Sequence, residues 1–483
     1  MSYASCNNLV IMTDEQDGLA MGCAGHRFVC TPNMDALAAR GTRFSNAFTP
    51  SPICVPARAS FATGQWVHQI GHWDNAMGYD GRVRGWGHAL QAGGQRVEAI
   101  GKLHYANGEA QTGFDRQHNA LHLAAGVGQV WGSVRDPMPQ EPRQSRLFQE
   151  LGAGHSHYNA YDTANAEAAA AWLRQRALEP DSSPWTLYLG LVAPHFPLVV
   201  PQRFLDHIDL DSLPPPRLHP MDGYARHPWV QRHAEFYDCD AELGSEERRR
   251  LALACYFALV GFIDEQIGKV LAALTATGQQ ASTRVILTSD HGDNQGTRGM
   301  WNKSTLYRES VQVPLVMAGP DVPEQLVCRT AVSLIDIAPT LLQSAGLSVP
   351  EAFCGRSLID IANEPNDPLR IGFSEYHAVG SPSAAYMVRQ GSWSYHHYVG
   401  FEPELFDVEA DPGQTRNLAG HAEWANVQTR LKSALQSMLD PDETDRRAKR
   451  DQNALVERMG GREAALCIGP QGASPAPRPE RAT

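Results

Sequence analysis

Two short segments of this sequence place acidic side chains directly after an apolar run. Asp14 and Glu15 follow the first run, and Asp290 and His291 follow a second one much later in the chain. Carboxylate oxygens are the ligands that Ca²⁺, Mg²⁺ and Mn²⁺ prefer in proteins. Asp14 and Asp290 are therefore candidate ligands of one hard divalent cation, although the second segment, which continues to Asp293, also fits a turn with capping carboxylates.

A third segment combines a nucleophile with a cation. Arg58 lies four residues after Cys54, so the two side chains share one face if a helix begins at the cysteine. The helix N-terminus and the guanidinium would then stabilise an oxyanion or a hydrated aldehyde at the same point. A cysteine taken alone is more commonly a buried and inert side chain.

The elements around these residues predict a scaffold that brings them together. Apolar runs that end in polar residues indicate buried strands, and they occur at residues 9–12, 185–192 and 284–287. Apolar spacing near 3.6 indicates helices at residues 164–178, 246–277 and 335–345. Strands that alternate with helices predict an α/β fold, with a large, mostly parallel sheet sandwiched by helices and functional groups at the carboxyl ends of the strands.

The organisation changes near residue 369. We expect a catalytic α/β domain over residues 1–368 and a smaller C-terminal α+β domain over residues 369–450, with a hairpin at 385–395, a strand at 404–408 and a helix at 427–439. Residues 451–483 form a C-terminal tail or oligomerisation arm in this interpretation. From residue 469 the tail is rich in proline, alanine and arginine, which predicts either disorder or an arm that orders on a neighbouring subunit of a homo-oligomer.

Composition excludes several classes of function. The chain has 483 residues, of which 42% are hydrophobic, and a formal net charge of −12, which argues against binding to nucleic acid or to an anionic membrane surface. We find no apolar run of about 20 residues and no signal peptide pattern at the start, so we expect a cytoplasmic protein without a membrane span. Nine scattered cysteines without a CxxC pair predict neither a disulfide framework nor a structural zinc site.

The segment around Cys54 resembles a known family. Residues 54–58 read CVPAR, which matches the pattern C-x-P-x-R, and a small-residue stretch with Thr-Gly follows. This pattern is similar to that of the type I sulfatases of the alkaline phosphatase superfamily, and above all to that of choline-sulfatase-like bacterial members. In that family a formylglycine-generating enzyme oxidises the cysteine to formylglycine. The resemblance therefore implies an alkaline-phosphatase-like fold and a formylglycine at Cys54.

The resemblance also implies a metal site and a set of catalytic side chains. One divalent ion, Ca²⁺ or Mn²⁺ with Mg²⁺ as a third option, would be held by the group derived from Cys54 and by Asp14, Asp290 and His291. Glu15 stands where many sulfatases have a second aspartate, and it is the weaker candidate ligand. The implied catalytic side chains are Arg58, Lys102, His104, His195 and Lys303.

These catalytic residues lie in further motifs of the family. Residues 101–104 read GKLH and match G-K-x-H, and residues 194–197 read PHFP and match P-H-x-P. Lys303 matches a K-x-x-x-Y element in which Arg308 is inserted before the glutamate. Asn75, in a D-N-A element of choline-sulfatase-like members, is a candidate hydrogen-bond donor to a sulfate oxygen, although an asparagine in this setting more commonly belongs to a turn.

The implied reaction is hydrolysis of an aryl or alkyl sulfate monoester, a small molecule, to an alcohol and inorganic sulfate. One hydroxyl of the hydrated aldehyde would attack sulfur, and the other would collapse to the aldehyde and release sulfate. Arg58 and Lys102 would steady the nucleophile, and His104 would take a proton. His195 and Lys303 would hold sulfate oxygens and assist the leaving alkoxide.

Three other functions stay open at this point. A phosphonate monoester hydrolase or phosphodiesterase uses the same formylglycine, and promiscuity between sulfate and phosphate chemistry is expected. Lys102 and His104 favour the sulfatase, since the phosphonate hydrolases lack this cationic pair. A binding protein on a sulfatase scaffold and an unmodified cysteine hydrolase are further alternatives.

The substrate pocket is expected in loops 67–87, 106–158 and 202–246, which follow no readable family pattern. Four aromatic side chains in these loops could face substrate or belong to the core or a lid: Trp131, Trp229, Phe236 and Tyr237.

Overall fold

The computed structural model describes residues 5–179, 183–470, 472 and 474–477. Residues 1–4, which belong to the start that we searched for a signal peptide, lie outside this range, as do 471, 473 and 478–483 of the predicted tail. The strands are β1 (Asn7–Asp14), β2 (Gly41–Phe44), β3 (Ala47–Phe48), β4 (Arg96–Lys102), β5 (Arg116–Leu121), β6 (Leu151–Ala153), β7 (Trp185–Pro194), β8 (Leu198–Val200), β9 (Thr283–Ser289), β10 (Leu315–Ala318), β11 (Leu326–Cys328), β12 (Val332–Ser333), β13 (Gly372–Tyr376), β14 (Ala385–Gln390), β15 (Trp393–Tyr398) and β16 (Glu404–Asp407).

The helices confirm the periodicity of the sequence: the helix predicted at 164–178 begins earlier, at His157, and the other predicted bounds differ by at most two residues. They are α1 (Pro32–Ala39), α2 (Cys54–Thr63), α3 (Val67–Ile70), α4 (Trp86–Ala92), α5 (His157–Ala177), α6 (Gln202–Leu205), α7 (Pro228–Phe236), α8 (Asp240–Leu243), α9 (Glu246–Ala276), α10 (Arg308–Val311), α11 (Ile337–Ser344), α12 (Leu358–Ala362), α13 (Ala425–Met438), α14 (Pro441–Arg458) and α15 (Arg462–Ala465).

The large sheet has eight strands in the order β11-β2-β10-β9-β1-β7-β4-β5. Strand β10 runs antiparallel to both of its neighbours, and the other pairs are parallel. The non-sequential order requires crossover connections, which the helices supply on both faces of the sheet. The predicted α/β fold with a mostly parallel sheet is therefore confirmed.

Strand β1 lies at the centre of this sheet and faces two separate cores. Leu9 and Ile11 pack with residues of α5 and α9 on one face. Val10 and Met12 pack with residues of α2, α4 and α11 on the other face. Successive side chains of a strand point to opposite faces, so a strand covered on both sides reads as the continuous apolar run seen in the sequence.

Helix α9 is the longest element of the large domain. By length and composition it could cross a membrane, which the absence of a continuous apolar run in the sequence did not predict. In its most apolar stretch 78% of the residues are buried inside the fold. This burial is what the central helix of a packed core requires.

The chain beyond residue 369 forms the second, smaller unit that the sequence predicts. Strands β13 to β16 make an antiparallel sheet in sequential order. One of its faces packs on α13, and the other packs against the large domain through a cluster that includes Trp229 and Tyr376. Helix α14 crosses residue 450, and Val456 in this helix packs with Val130 and Val134 of the large domain.

Candidate active site

The strands that carry the predicted polar residues are neighbours in the large sheet. Strands β9, β1, β7 and β4 lie side by side and run parallel. Their carboxyl ends therefore meet at the same edge. Asp290 and His291 follow β9, Asp14 ends β1, His195 follows β7 and Lys102 ends β4. The sheet topology alone thus gathers most of the predicted site.

Helix α2 carries the candidate nucleophile at its first residue. Cys54 opens the helix and is 1% exposed, and all ten residues of α2 are buried. The helix can be enclosed on every side because much of it is alanine, which lets neighbouring elements approach closely. Burial and the nearby Asp14 carboxylate raise the pKa of the Cys54 thiol to about 12, so the unmodified thiol is protonated at neutral pH.

Asn75 holds the start of α2 in place. Its Oδ1 accepts a hydrogen bond from the Val55 amide at 3.1 Å, and its Nδ2 donates to Gln129 Oε1 at 3.1 Å. The first bond satisfies one of the N–H groups that a helix N-terminus leaves free. Asn75 lies in the wall of the pocket, and its predicted contact with a sulfate oxygen stays a prediction.

Arg58 connects four elements at the floor of the site. Its Nη2 donates to Asp14 Oδ2 at 2.8 Å, and its Nε donates to Asp290 Oδ2 at 2.8 Å. Nη1 donates to the carbonyl of Lys102 at 3.0 Å and to the hydroxyl of Tyr188 at 2.9 Å. A planar guanidinium matches two carboxylates at once, so Arg58 fixes the distance between the ends of β1 and β9.

Lys102 reaches the same carboxylate from β4. Its Nζ lies 2.6 Å from Asp14 Oδ2. Burial alone would raise the pKa of Asp14, but the Lys102 ammonium and the Arg58 guanidinium hold this pKa well below its usual range. Asp14 therefore stays ionised inside the fold.

The structure shows why the first position of the G-K-x-H element, Gly101, is a glycine. Its φ is +86°, and it pairs with Gly190 of β7. A Cβ on Gly101 would lie 2.1 Å from the Gly190 carbonyl oxygen, and one on Gly190 would lie 2.0 Å from the Lys102 carbonyl oxygen. Only a pair of glycines permits this approach, which brings the Lys102 carbonyl to Arg58.

Four buried side chains could hold a metal ion together. Ligand atoms of Asp14, Cys54, Asp290 and His291 lie within 4.8 Å of one another. His291 Nδ1 donates to the Gly292 carbonyl at 3.0 Å, which leaves the lone pair of Nε2 directed at Cys54 Sγ, 3.2 Å away. A second hydrogen bond that fixes the tautomer is typical of metal-binding histidines. The donor set fits the divalent cation that the sequence analysis expects.

Glu15 lies beside this cluster and forms a second group of potential metal ligands with Asp14 and His195. Its Oε2 accepts a hydrogen bond from Lys303 Nζ at 3.0 Å and lies 3.5 Å from His195 Nε2. Its Oε1 is buried and has no hydrogen-bond partner among the described residues. Burial raises the pKa of Glu15 to about 8 and that of Asp293 to about 7. A cation beside the free Oε1 would stabilise the carboxylate, so Glu15 fits a metal-proximal position.

Lys303 and His195 face this carboxylate from the pocket. The Lys303 ammonium also lies 5.0 Å from the centre of the Phe196 ring, within the range of a cation–π contact. Burial alone would lower the pKa of Lys303, but Cys54, Glu15 and Asp14 raise it above its usual range. Burial and Lys303 lower the pKa of His195 well below its usual range, so this imidazole is neutral.

Several non-glycine residues of the site have a left-handed backbone. Positive φ angles occur at Glu15 (68°), His104 (58°), Asn302 (70°) and Ser304 (82°). Such conformations cost about 1–3 kcal/mol each and persist where the surrounding structure holds them. These backbone conformations direct the side chains of Glu15 and His104, which follow β1 and β4, toward the site. They do the same for Asn302 and Ser304, which flank Lys303.

The pocket above these residues has a volume of about 860 Å³ with its open mouth included. Of the four aromatic side chains considered in the sequence analysis, Trp131 and Tyr237 line it, while Trp229 and Phe236 are buried outside its lining. The wall also contains residues that no motif predicted: Gln129, Leu147, His233, Met300, Trp301, Val379, Gly472 and Ser474. A loop of the small domain and the C-terminal segment therefore complete the site, and neither has a sequence signal that could have indicated this.

Comparison with known families supports the motif analysis. The family described as "Sulfatase" matches residues 7–347, and the family described as "N-sulphoglucosamine sulphohydrolase, C-terminal" matches residues 296–440. A choline-sulfatase of Rhizobium meliloti (strain 1021) is 32% identical over 440 residues, which cover 87% of this chain and 83% of that protein. Arylsulfatase K of Bos taurus is 28% identical, with 90% and 82% covered.

Solved structures share the fold. A phosphonate monoester hydrolase of Agrobacterium radiobacter superposes with a TM-score of 0.72 at 23% identity and covers 89% of this chain and 95% of its own. A 2-O GAG sulfatase superposes with a TM-score of 0.71 at 23% identity, with 90% and 92% covered.

Proposed function

Because the chain belongs to the sulfatase family and hydrolyses sulfuric esters, we propose that its nucleophile is a formylglycine made from Cys54 and that a divalent cation assists it. The observation that carries this proposal is the convergence of Cys54 with Asp14, Asp290 and His291, whose donor atoms lie within 4.8 Å of one another. A hydrated formylglycine supplies an oxygen nucleophile, whereas the thiol is buried beside a carboxylate that disfavours the thiolate.

The formylglycine-generating enzyme must act before α2 folds. Cys54 and Arg58 are each 1% exposed in the folded chain, so no second enzyme reaches the CVPAR segment once the helix is enclosed. The modification therefore belongs to the unfolded or nascent chain.

The cation would be held by Asp14, Asp290, His291 and the oxygen that replaces the Cys54 thiol, with Glu15 beside them. When bound, a divalent ion lowers the pKa of a coordinated oxygen and polarises a sulfate oxygen. Carboxylate-rich donor sets select Ca²⁺, Mg²⁺ or Mn²⁺. Arg58 and Lys102 serve this arrangement by keeping Asp14 ionised and oriented.

Lys303 and His195 are the side chains that face the sulfate group in this proposal. Lys303 stands on the pocket side of Glu15 with its ammonium in the pocket lining, where it attracts an anionic oxygen. His195 Nδ1–H donates a hydrogen bond to the Phe196 carbonyl at 2.7 Å, so Nε2 carries the lone pair and must take a proton from solvent in the pocket before it can protonate the leaving alkoxide. Both groups sit in a buried site, where electrostatic stabilisation of developing charge is strong.

His104 is the proposed proton acceptor at the nucleophile side. Burial and the Lys102 ammonium lower its pKa well below the usual range, so the imidazole is neutral, as a proton acceptor must be. Its Nδ1 has no hydrogen-bond partner among the described residues.

A substrate panel tests the proposal. Protein co-expressed with a formylglycine-generating enzyme is assayed with 4-nitrophenyl sulfate, an alkyl sulfate, a phosphonate monoester and a phosphodiester. We expect the highest kcat/KM for a sulfate ester and no turnover after Cys54→Ala. Cys354→Ala, which changes an exposed cysteine, is the matched control and should leave activity intact.

Two outcomes contradict the proposal. A higher kcat/KM for the phosphonate or the phosphodiester would make the chain a phosphonate monoester hydrolase or phosphodiesterase with the same site. Turnover that survives Cys54→Ala would exclude Cys54 as the source of the nucleophile.

A further inference from the structure

The C-terminal segment contacts two residues of the active-site wall and the nearby Tyr158. After α15, Trp131 Nε1 donates to the Pro470 carbonyl at 2.9 Å, and Gln129 Nε2 donates to the Gly472 carbonyl at 3.0 Å. The Tyr158 hydroxyl donates to the carbonyl of Ser474. Ser474 is 8% exposed and lines the pocket. The described part of this segment is therefore anchored to the chain's own active site.

Ser474 makes a contact that the proposed chemistry has not used. Its Oγ lies 3.0 Å from His104 Nε2, across 370 positions of the sequence. His104 has no other side-chain hydrogen bond within the described part of the chain, and its Nδ1 is buried without a partner. The orientation of this imidazole thus depends on one hydroxyl from the C-terminal segment.

The other two histidines of the site are oriented locally. His195 Nδ1 donates to the next carbonyl, that of Phe196, and His291 Nδ1 donates to the next carbonyl, that of Gly292. Each of these bonds fixes the tautomer that leaves Nε2 unprotonated. His104 makes no hydrogen bond to the carbonyl of the next residue, so only a residue from elsewhere in the chain can fix its tautomer.

We propose that Ser474 is the positioning residue of His104. In this arrangement Nε2–H donates a hydrogen bond to the Ser474 hydroxyl oxygen, which favours the tautomer that carries the lone pair on Nδ1. The inference rests on the proposed role of His104 as proton acceptor. A hydroxyl suits this position because it carries no charge and adds no electrostatic repulsion or attraction beside Lys102. When Nδ1 takes a proton, Nε2–H continues to donate to the same oxygen, and the ring does not need to turn.

The test compares Ser474→Ala with Ser474→Thr, which keeps the hydroxyl. We expect kcat to fall about tenfold to a hundredfold in Ser474→Ala, a fraction of the contribution of a general base, with KM changed less than threefold. Ser474→Thr should recover most of the loss. Ser437→Ala, in the exposed part of α13, is the control and should match the unchanged protein.

A second measurement reads the tautomer without turnover. Histidine labelled with ¹⁵N gives distinct NMR shifts for protonated and unprotonated ring nitrogens, and His104→Ala assigns the signals by difference. We expect His104 to be protonated at Nε2 in the unchanged protein and to populate both tautomers in Ser474→Ala.

The outcomes separate this inference from the proposed function. Unchanged kcat and an unchanged tautomer in Ser474→Ala would overturn the role of Ser474. Equal losses in Ser474→Ala and Ser474→Thr, with native unfolding temperatures, would assign the effect to packing and also overturn it. A lack of sulfatase activity in the unchanged protein would refute the proposed function, whereas the tautomer measurement would still decide the contact between Ser474 and His104.

Discussion

Lys303→Met separates the catalytic role of the ammonium from its role in the fold. Methionine keeps an unbranched side chain against Phe196 and removes only the charge that contacts Glu15 Oε2 at 3.0 Å. Because the pKa of Glu15 is already about 8 beside Lys303, this carboxyl is mostly protonated at pH 7 once the ammonium is gone. No unpaired charge then stays buried, so the free energy of unfolding should fall by only about 1 kcal/mol, the contribution of one hydrogen bond.

Turnover should fall far more. Removal of one preorganised donor to a developing anionic oxygen costs about 2.7–4 kcal/mol of transition-state stabilisation, or about 10²–10³ in kcat. The assay measures kcat on 4-nitrophenyl sulfate and urea unfolding for Lys303→Met and for Lys269→Met, which changes a half-exposed lysine of α9. The formylglycine content of each preparation is measured by mass and used to normalise kcat. If kcat fell only by the amount that the measured loss of folded protein explains, the role of Lys303 would be refuted.

Three other changes test the metal site, a buried ion cluster and the close approach of two strands. Chelation should abolish turnover, and Asp290→Asn should bind less metal by elemental analysis; full metal content in this variant would exclude Asp290 as a ligand. Burial alone would raise the pKa of Glu375, but the contacts with His68 and His377 outweigh burial and lower this pKa to about 2. The carboxylate therefore stabilises the fold above its unfolded pKa of about 4.5, and the stabilisation is lost as pH falls toward 2. Glu375→Gln should therefore cost about 3 kcal/mol at pH 7 and progressively less below pH 4.5, and a pH-independent cost would contradict this. Gly101→Ala should lower the free energy of unfolding by at least about 2 kcal/mol in urea, because its Cβ would clash with a backbone oxygen; native stability would contradict the close approach.

The parts of the fold that the sequence predicted are those with a strong local pattern. The run at Leu9–Met12 is apolar because β1 is covered on both faces, and the Asp14 carboxylate follows at its end. Helix α9 was predicted because its core-facing residues are apolar and recur with helical spacing in the sequence. Strand order, by contrast, follows from long-range pairing, and no local signal indicates that β9 and β7 flank β1.

The candidate site was predictable where a motif carries the chemistry. Cys54, Arg58 and Lys102 were found because their residue types stand in fixed spacing, and the structure brings them together. The loops that form much of the pocket wall were predicted, at residues 67–87, 106–158 and 202–246, but most of the individual wall residues were not. Trp301 and His233 have no distinctive spacing, and they line the pocket only through tertiary contacts.

The C-terminal segment shows the same limit. A stretch rich in proline and alanine predicts disorder or an arm on another subunit, because its composition cannot bury a core of its own. Its described residues instead dock through backbone carbonyls that accept bonds from Trp131 and Gln129. Backbone carbonyls are the same in every residue type, so composition contains no signal for this contact.

The mass of the peptide that contains Cys54 is the most direct test of the formylglycine mechanism. Protein co-expressed with a formylglycine-generating enzyme is digested, and the peptide spectrum is compared with that of protein made without it. We expect a loss of about 18 Da confined to the Cys54 peptide, the difference between a thiol and an aldehyde, and sulfatase turnover in proportion to the modified fraction. An unmodified Cys54 thiol in a preparation that still hydrolyses sulfate esters would contradict the mechanism.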